Sequence, residues 1–135
     1  MDTVTFEVST GRSFACVDLT PRIQQWVGGR GDGLCHVFVP HATAGVALFE
    51  LGAGTETDVE LTVASLLPRD EGRWSHRHGS AGHGADHVLP LLVSPSLSVP
   101  VLGGRPALGT WQSVVLVDSN GDNPERTVRL SWLAG

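Results

Sequence analysis

The sequence predicts a β-rich α+β fold: a β-sandwich or jelly-roll-like single domain over residues 1–135, with two or three flanking helices. Short runs alternate apolar and polar residues with the period of a half-buried strand. Glycine, proline and aspartate punctuate these runs at short intervals, and few segments carry a helical period. Runs of short strands with few long helices point to a sandwich or α+β domain rather than a doubly wound sheet. At 135 residues roughly two-thirds of the unfolded surface can be buried, so one core suffices.

In chain order, residues 3–9 set Val4, Phe6 and Val8 against Thr5, Glu7 and Ser9, a strand with one buried face. Gly11 and Arg12 form a turn, and residues 13–19 read as the hairpin partner. Thr20 can cap a helix that has Pro21 at its first position, an apolar stripe of Ile23, Trp26 and Val27, and a stop at Gly28 and Gly29. Residues 34–39 are nearly all apolar and suggest a central strand. Residues 40–44 bend, and 45–51 resume the apolar run.

Thr55 is placed to cap a second helix, with Asp58 at the capping-box position and Glu56 favoured by the dipole. Val59, Val63 and Leu66 would form its buried stripe, and Pro68 ends it. Residues 88–93 contain Pro90 and read as a short helix or irregular segment. Residues 96–101, 111–118 and 127–133 are strands, with Trp111 expected in the core and a loop at 119–124 between the last two. The tally is seven or eight strands.

Composition excludes several chemistries. A net charge of −5 is opposite to the basic footprint of a nucleic-acid binder. All nine basic residues are arginine, which excludes lysine Schiff-base and P-loop chemistry. The longest apolar runs are far too short to span a bilayer, and the N-terminus does not read as a signal peptide, so a cytoplasmic protein is expected. Cys16 and Cys35 sit in apolar alternating runs and read as buried thiols.

The most unusual stretch is residues 72–87, GRWSHRHGSAGHGADH, with four of the six histidines (His76, His78, His83 and His87) among interleaved glycines. Glycine at this density reads as a loop. Imidazole is both a common metal ligand and the side chain that titrates nearest neutrality. A metal or acid/base site and a solvated histidine-rich loop are equally compatible with the spacing. Outside the stretch, His41 follows a strand in a Pro-His-Ala-Thr-Ala bend and could join His76 and His87 in a three-histidine set. Glu50 ends an apolar run, where a carboxylate could serve as ligand or base. His36 reads as a core or edge histidine, and Asp70 and Asp86 as cation ligands or loop-solvating acids.

HATAGVALFE at 41–50, the Trp-Ser-His at 74–76, His87 followed by VLPLLVSPSLSVPV, and GRPALGTWQSVVLV at 104–117 together resemble the YjbQ family, also described as secondary thiamine-phosphate synthase. The resemblance runs in order from about residue 34 to 133. It implies a compact sandwich-like fold with flanking helices, a homotrimer, and an enzyme-like pocket holding a divalent metal, zinc or magnesium. The shared histidines fall on His41, His76 and His87 as metal ligands and catalytic residues, and the shared acid on Glu50. His78 and His83 would be incidental or supporting.

The implied reaction joins a pyrimidine diphosphate to a thiazole phosphate and releases pyrophosphate, so the small-molecule partners are phosphorylated. A cation and arginines, with Arg73, Arg77 and Arg105 as candidates, would stabilise the leaving group. A metal- or phosphometabolite-binding trimer without turnover is the alternative. This chain departs from the pattern at Phe49, where the family commonly has asparagine, and at Ala42, in a motif that keeps one hydroxyl at Thr43. It also departs at Gly52, Ala53 and Gly54, in place of acids, and in the spacer between His76 and His87.

Overall fold

In the computed structural model, which describes residues 1–119 and 121–135, the described residues form eight strands and three helices. Asn120, within the loop expected at 119–124, lies outside the described residues. The elements are β1 (Asp2–Ser9), β2 (Ala15–Asp18), α1 (Thr20–Val27), β3 (Gly33–Phe38), β4 (Ala44–Phe49), α2 (Thr55–Leu66), α3 (Gly84–Leu92), β5 (Ser96–Leu102), β6 (Arg105–Pro106), β7 (Ser113–Asp118) and β8 (Glu125–Ala134). They build two antiparallel sheets, a larger one ordered β1-β8-β3-β5-β6 and a smaller one ordered β2-β7-β4. The expected β-rich architecture is present.

Period-two alternation directs the core. Val128, Leu130 and Trp132 of β8 join Cys35, Val37, Val99 and Val101 on the inner face of the larger sheet. They meet Val46, Val114 and Leu116 of the smaller sheet, and α1 contributes Ile23 and Val27. β7 differs because both its faces are buried. Val114 and Leu116 enter this core, whereas Val115 and Val117 face a second cluster formed with Leu67, Ala85 and Leu89 beneath α2 and α3. A strand covered on both sides reads as a continuous apolar run, which is what residues 114–117 are.

Several expectations need correction. Residues 13–19 do not pair back on β1; β2 pairs with β7, and β1 pairs with β8. The turn at Gly11 carries the chain from one sheet to the other, and alternation alone does not say which sheet receives it. Thr20 does not cap α1: its hydroxyl accepts the Val114 N–H. Gly54, in the left-handed region, precedes α2 where Thr55 was expected to cap, and Leu66 is exposed while Leu67 takes the buried place. Trp111 is exposed, since β7 begins only at Ser113. His36 lies exposed on β3 with Nδ1 at 2.9 Å from the Ser98 hydroxyl.

The largest correction concerns the histidine-rich stretch. Its last four residues, 84–87, are already the first turn of α3, which runs through Pro90. A helix can hold proline there when the lost hydrogen bond is tolerated near its C-terminal end. At Gly84 a side-chain carbon would lie 2.5 Å from Cβ of Trp74 and 2.9 Å from the His76 carbonyl oxygen, so only glycine lets the two segments touch. That contact holds the Trp74–Ser75–His76 segment against the helix.

Candidate functional site

His83 immediately precedes α3 and His87 lies one turn along it, so the i, i+4 spacing puts both rings on one face. Their Nε2 atoms are 3.1 Å apart. The Gly84 contact brings His76 alongside, its ring centroid 4.1 Å from that of His87. His76, His83 and His87 each offer a ring nitrogen within 4.8 Å of the others. Exposed His78 packs against His76 with its ring tilted, 3.9 Å between centroids.

The surroundings fix which atoms face inward. Nδ1 of His83 lies 3.1 Å from Oδ2 of Asp86 and 3.2 Å from Oδ2 of Asp122. Facing two carboxylate oxygens, Nδ1 is the nitrogen that carries a proton, and the tautomer this selects has its Nε2 lone pair towards His87. Two imidazole nitrogens so close repel unless a proton or a cation lies between them. Nε2 of His76 is buried and has no hydrogen-bond partner among the described residues. Burial, then the neighbouring imidazoles, lowers the pKa of both His76 and His87, favouring the neutral form that binds metals.

Asp86 ties this group to the fold. It is fully buried, accepts from Arg69 at 2.6 Å and from the Ser119 hydroxyl at 2.9 Å, and turns its other oxygen to His83. The pattern is that of a histidine ligand oriented by a carboxylate.

Of the residues expected to form the site, His76 and His87 are brought together, and His83 completes the set. His41 is engaged elsewhere: its Nε2 accepts the Thr127 N–H at 2.8 Å, leaving that nitrogen unable to ligate. It borders a buried network in which Arg126 binds Asp118 through two nitrogens at 2.7 and 3.0 Å and donates to Thr43 at 2.9 Å. Burial and the Arg126 guanidinium lower the His41 pKa.

Glu50 follows the far end of β4 from His41, and a strand of that length separates them by about 20 Å. The two do not share a site. Of the candidate arginines, Arg105 begins β6 in the larger sheet, Arg77 donates to the Trp74 carbonyl, and Arg73 stacks over the Trp74 ring. Arg69 and Ser119 are the residues that sequence reasoning missed; Asp86 was weighed as a cation ligand or loop acid, and its part in orienting His83 was not foreseen. The signal available for Asp86 was the His-x-x-Asp-His spacing of 83–87, which acquires meaning only once the segment is helical.

The family model described as UPF0047 protein YjbQ-like matches residues 4–135. This chain belongs to that family. Among its YjbQ-like relatives, UPF0047 protein Rv2556c of Mycobacterium tuberculosis is 58% identical over the whole of both chains. A UPF0047 protein of Archaeoglobus fulgidus is 30% identical, covering 90% of this chain and 94% of its own. The crystal structure of hypothetical protein APE1520 from Aeropyrum pernix superposes with a TM-score of 0.87 at 34% identity, covering both chains fully. A YbjQ-like protein from Sulfolobus solfataricus, described as of unknown function, gives 0.87 at 26% identity, covering 99% of this chain and 97% of its own. Membership in the YjbQ-like family thus accounts for the fold, and the chemistry has to be argued from the site.

The thiols are not part of it. Burial pushes Cys16 and Cys35 each up to about 11, so neither is a thiolate at neutral pH. Among the described residues no helix is long and apolar enough to cross a membrane.

Proposed function

We propose that this protein is a metal-assisted transferase acting on phosphorylated small molecules, of the thiamine-phosphate synthase kind, with His76, His83 and His87 as the metal-holding set. The observation that carries the metal is the convergence of three imidazole nitrogens within 4.8 Å, one of them oriented by a buried carboxylate. An all-nitrogen donor set suits zinc and not magnesium, which prefers oxygen and keeps its waters. Three protein ligands leave a position open, the arrangement of catalytic rather than structural zinc. A bound ion would supply Lewis-acid stabilisation of charge developing on a leaving diphosphate. The protein's own part is to favour neutral His76 and His87 through burial and to orient His83 through Asp86.

The transferase step rests on family resemblance. The test is thiamine phosphate formation from the pyrimidine diphosphate and the thiazole phosphate, with zinc added to purified protein. Product that disappears in His87→Ala supports the reading; product no greater than in that variant sinks it.

A second reading, a metal- or phosphometabolite-binding protein without turnover, is favoured by the engagement of Arg73 on the Trp74 ring, of Arg77 Nε on the Trp74 carbonyl, and by the place of Arg105 in the larger sheet. Zinc bound at one equivalent, with no product, selects it. Assembly as a homotrimer is part of either reading. It is supported by the exposed apolar side chains of Leu48, Leu91 and Trp111, and light scattering of the eluted protein tests it.

A further inference from the structure

Beside the histidine group, on the Asp86 side of His83, a cleft of about 540 Å³ opens between α2 and the β1–β2 turn. Clefts of this size hold small metabolites. One wall is a helical face: Glu60, Val63, Ala64 and Leu67 of α2 and the residue after it fall at i, i+3, i+4 and i+7. Phe14 adds an aromatic surface, and Arg12, Arg69, Asp86 and Asp122 supply charge.

Most of this charge is already committed. Asp86 is buried against Arg69, whose other terminal nitrogen donates to the Ala81 carbonyl at 3.1 Å. Asp122 accepts the Ser80 N–H at 3.0 Å and faces His83. Arg12 and Glu60 are different. Neither side chain makes a hydrogen bond or ion pair among the described residues, and both residues line the cleft. The cleft therefore presents an apolar bed flanked by one uncommitted guanidinium and one uncommitted carboxylate.

We propose that this cleft binds a small ring-bearing organic acid that also carries an N–H donor. The carboxylate or phosphate of the ligand engages Arg12, whose planar fork matches either anion. The ring lies between Phe14 and the Val63–Ala64–Leu67 face of α2, and the N–H donates to Glu60. An acid without the donor leaves Glu60 facing an apolar ring edge, and an amine without the acid leaves Arg12 unpaired, so both groups are selected. The assignment rests on the cleft itself and stands whether or not the histidines hold a metal.

The test is calorimetric titration of purified, chelator-treated protein with 4-aminobenzoate, 4-aminophenyl phosphate, benzoate and aniline. At least one of the two bifunctional probes is expected to bind more tightly than benzoate and aniline, and the stronger of the pair tells carboxylate from phosphate. Arg12→Ala should weaken that probe roughly tenfold with the melting temperature unchanged, since the Arg12 side chain is exposed and has no partner among the described residues. Glu60→Ala should weaken the same probe and leave benzoate binding unchanged. Ala64→Trp, which fills the cleft from an exposed helix position, should abolish binding. Absence of binding by every probe, binding that survives Ala64→Trp, or failure of both bifunctional probes to bind more tightly than benzoate and aniline would overturn the assignment.

Discussion

Because Asp86 accepts from Nδ1 of His83, replacing it with asparagine removes the charge that selects the ring's tautomer while keeping an oxygen for Arg69 and Ser119. Asp86→Asn should weaken zinc binding by about 10- to 100-fold, measured by competition with a chromophoric chelator. Unchanged affinity would show that packing alone orients His83. The histidines also set an acid limit. His41, His76 and His87 all have lowered pKa values, with burial the largest cause in each. Below the ordinary histidine value of 6.5 the unfolded chain therefore binds more protons than the folded one. Stability is full above that pH and falls as pH drops through it. Thermal melts from pH 8 to pH 5 in chelator should show a level melting temperature and then a decline. A curve that stays level to pH 5 contradicts the assignment. At this scale composition marked all four histidines of the stretch and the family resemblance assigned the site to His76 and His87; His83 passed as incidental or supporting, because the carboxylate that orients it comes within reach only when the helix forms.

Helix α3 shows how an element can hide from its own sequence. Gly84 and Pro90 are poor helix residues, and their presence, with the glycines before them, reads as loop. What keeps the helix is burial: Ala85 and Leu89 are sealed beneath it, and Asp86 is satisfied on both oxygens. Gly84 is kept for the opposite reason, because the Trp74 segment lies where a side chain would stand. Gly84→Ala should therefore destabilise the fold by about 1–3 kcal/mol through overpacking, although alanine is the better helix former. It should also separate His76 from His87. Urea titration reads the first effect and zinc stoichiometry the second; a stabilised variant with full zinc would show that the contact yields freely. Strands were easier to read than their partners. The alternation in β1 and β8 was plain, yet the alternation in β2 could not say that its neighbour would be β7, because the choice is made by a corner at Gly11.

For the molecule as a whole, two sheets and a helical layer are joined near the site by few polar links. Arg126, fully buried on β8, meets Asp118 at the end of β7, and Thr10 adds its hydroxyl to the same carboxylate at 2.6 Å. Breaking one side of such a pair strands the other charge, so Asp118→Ala should cost about 3–5 kcal/mol in denaturant unfolding. A loss under 1 kcal/mol would mean that water reaches Arg126. The layered architecture was legible because each strand advertises its buried face; the cross-sheet link was not, since Arg126 and Asp118 look like ordinary charges in strand sequences. The burial of β7 on both faces also has a kinetic consequence. Its amides, paired on both sides with β2 and β4, should exchange with deuterium only through global unfolding, whereas the exposed segment around Arg77 and Gly79 should exchange through local opening. Ser119, directly after β7, holds Asp86 and through it His83, so that imidazole should move on the slow clock. His76 moves on the fast one. Loading and release of a metal should accordingly run through the departure of a single imidazole, with the helical pair waiting in place.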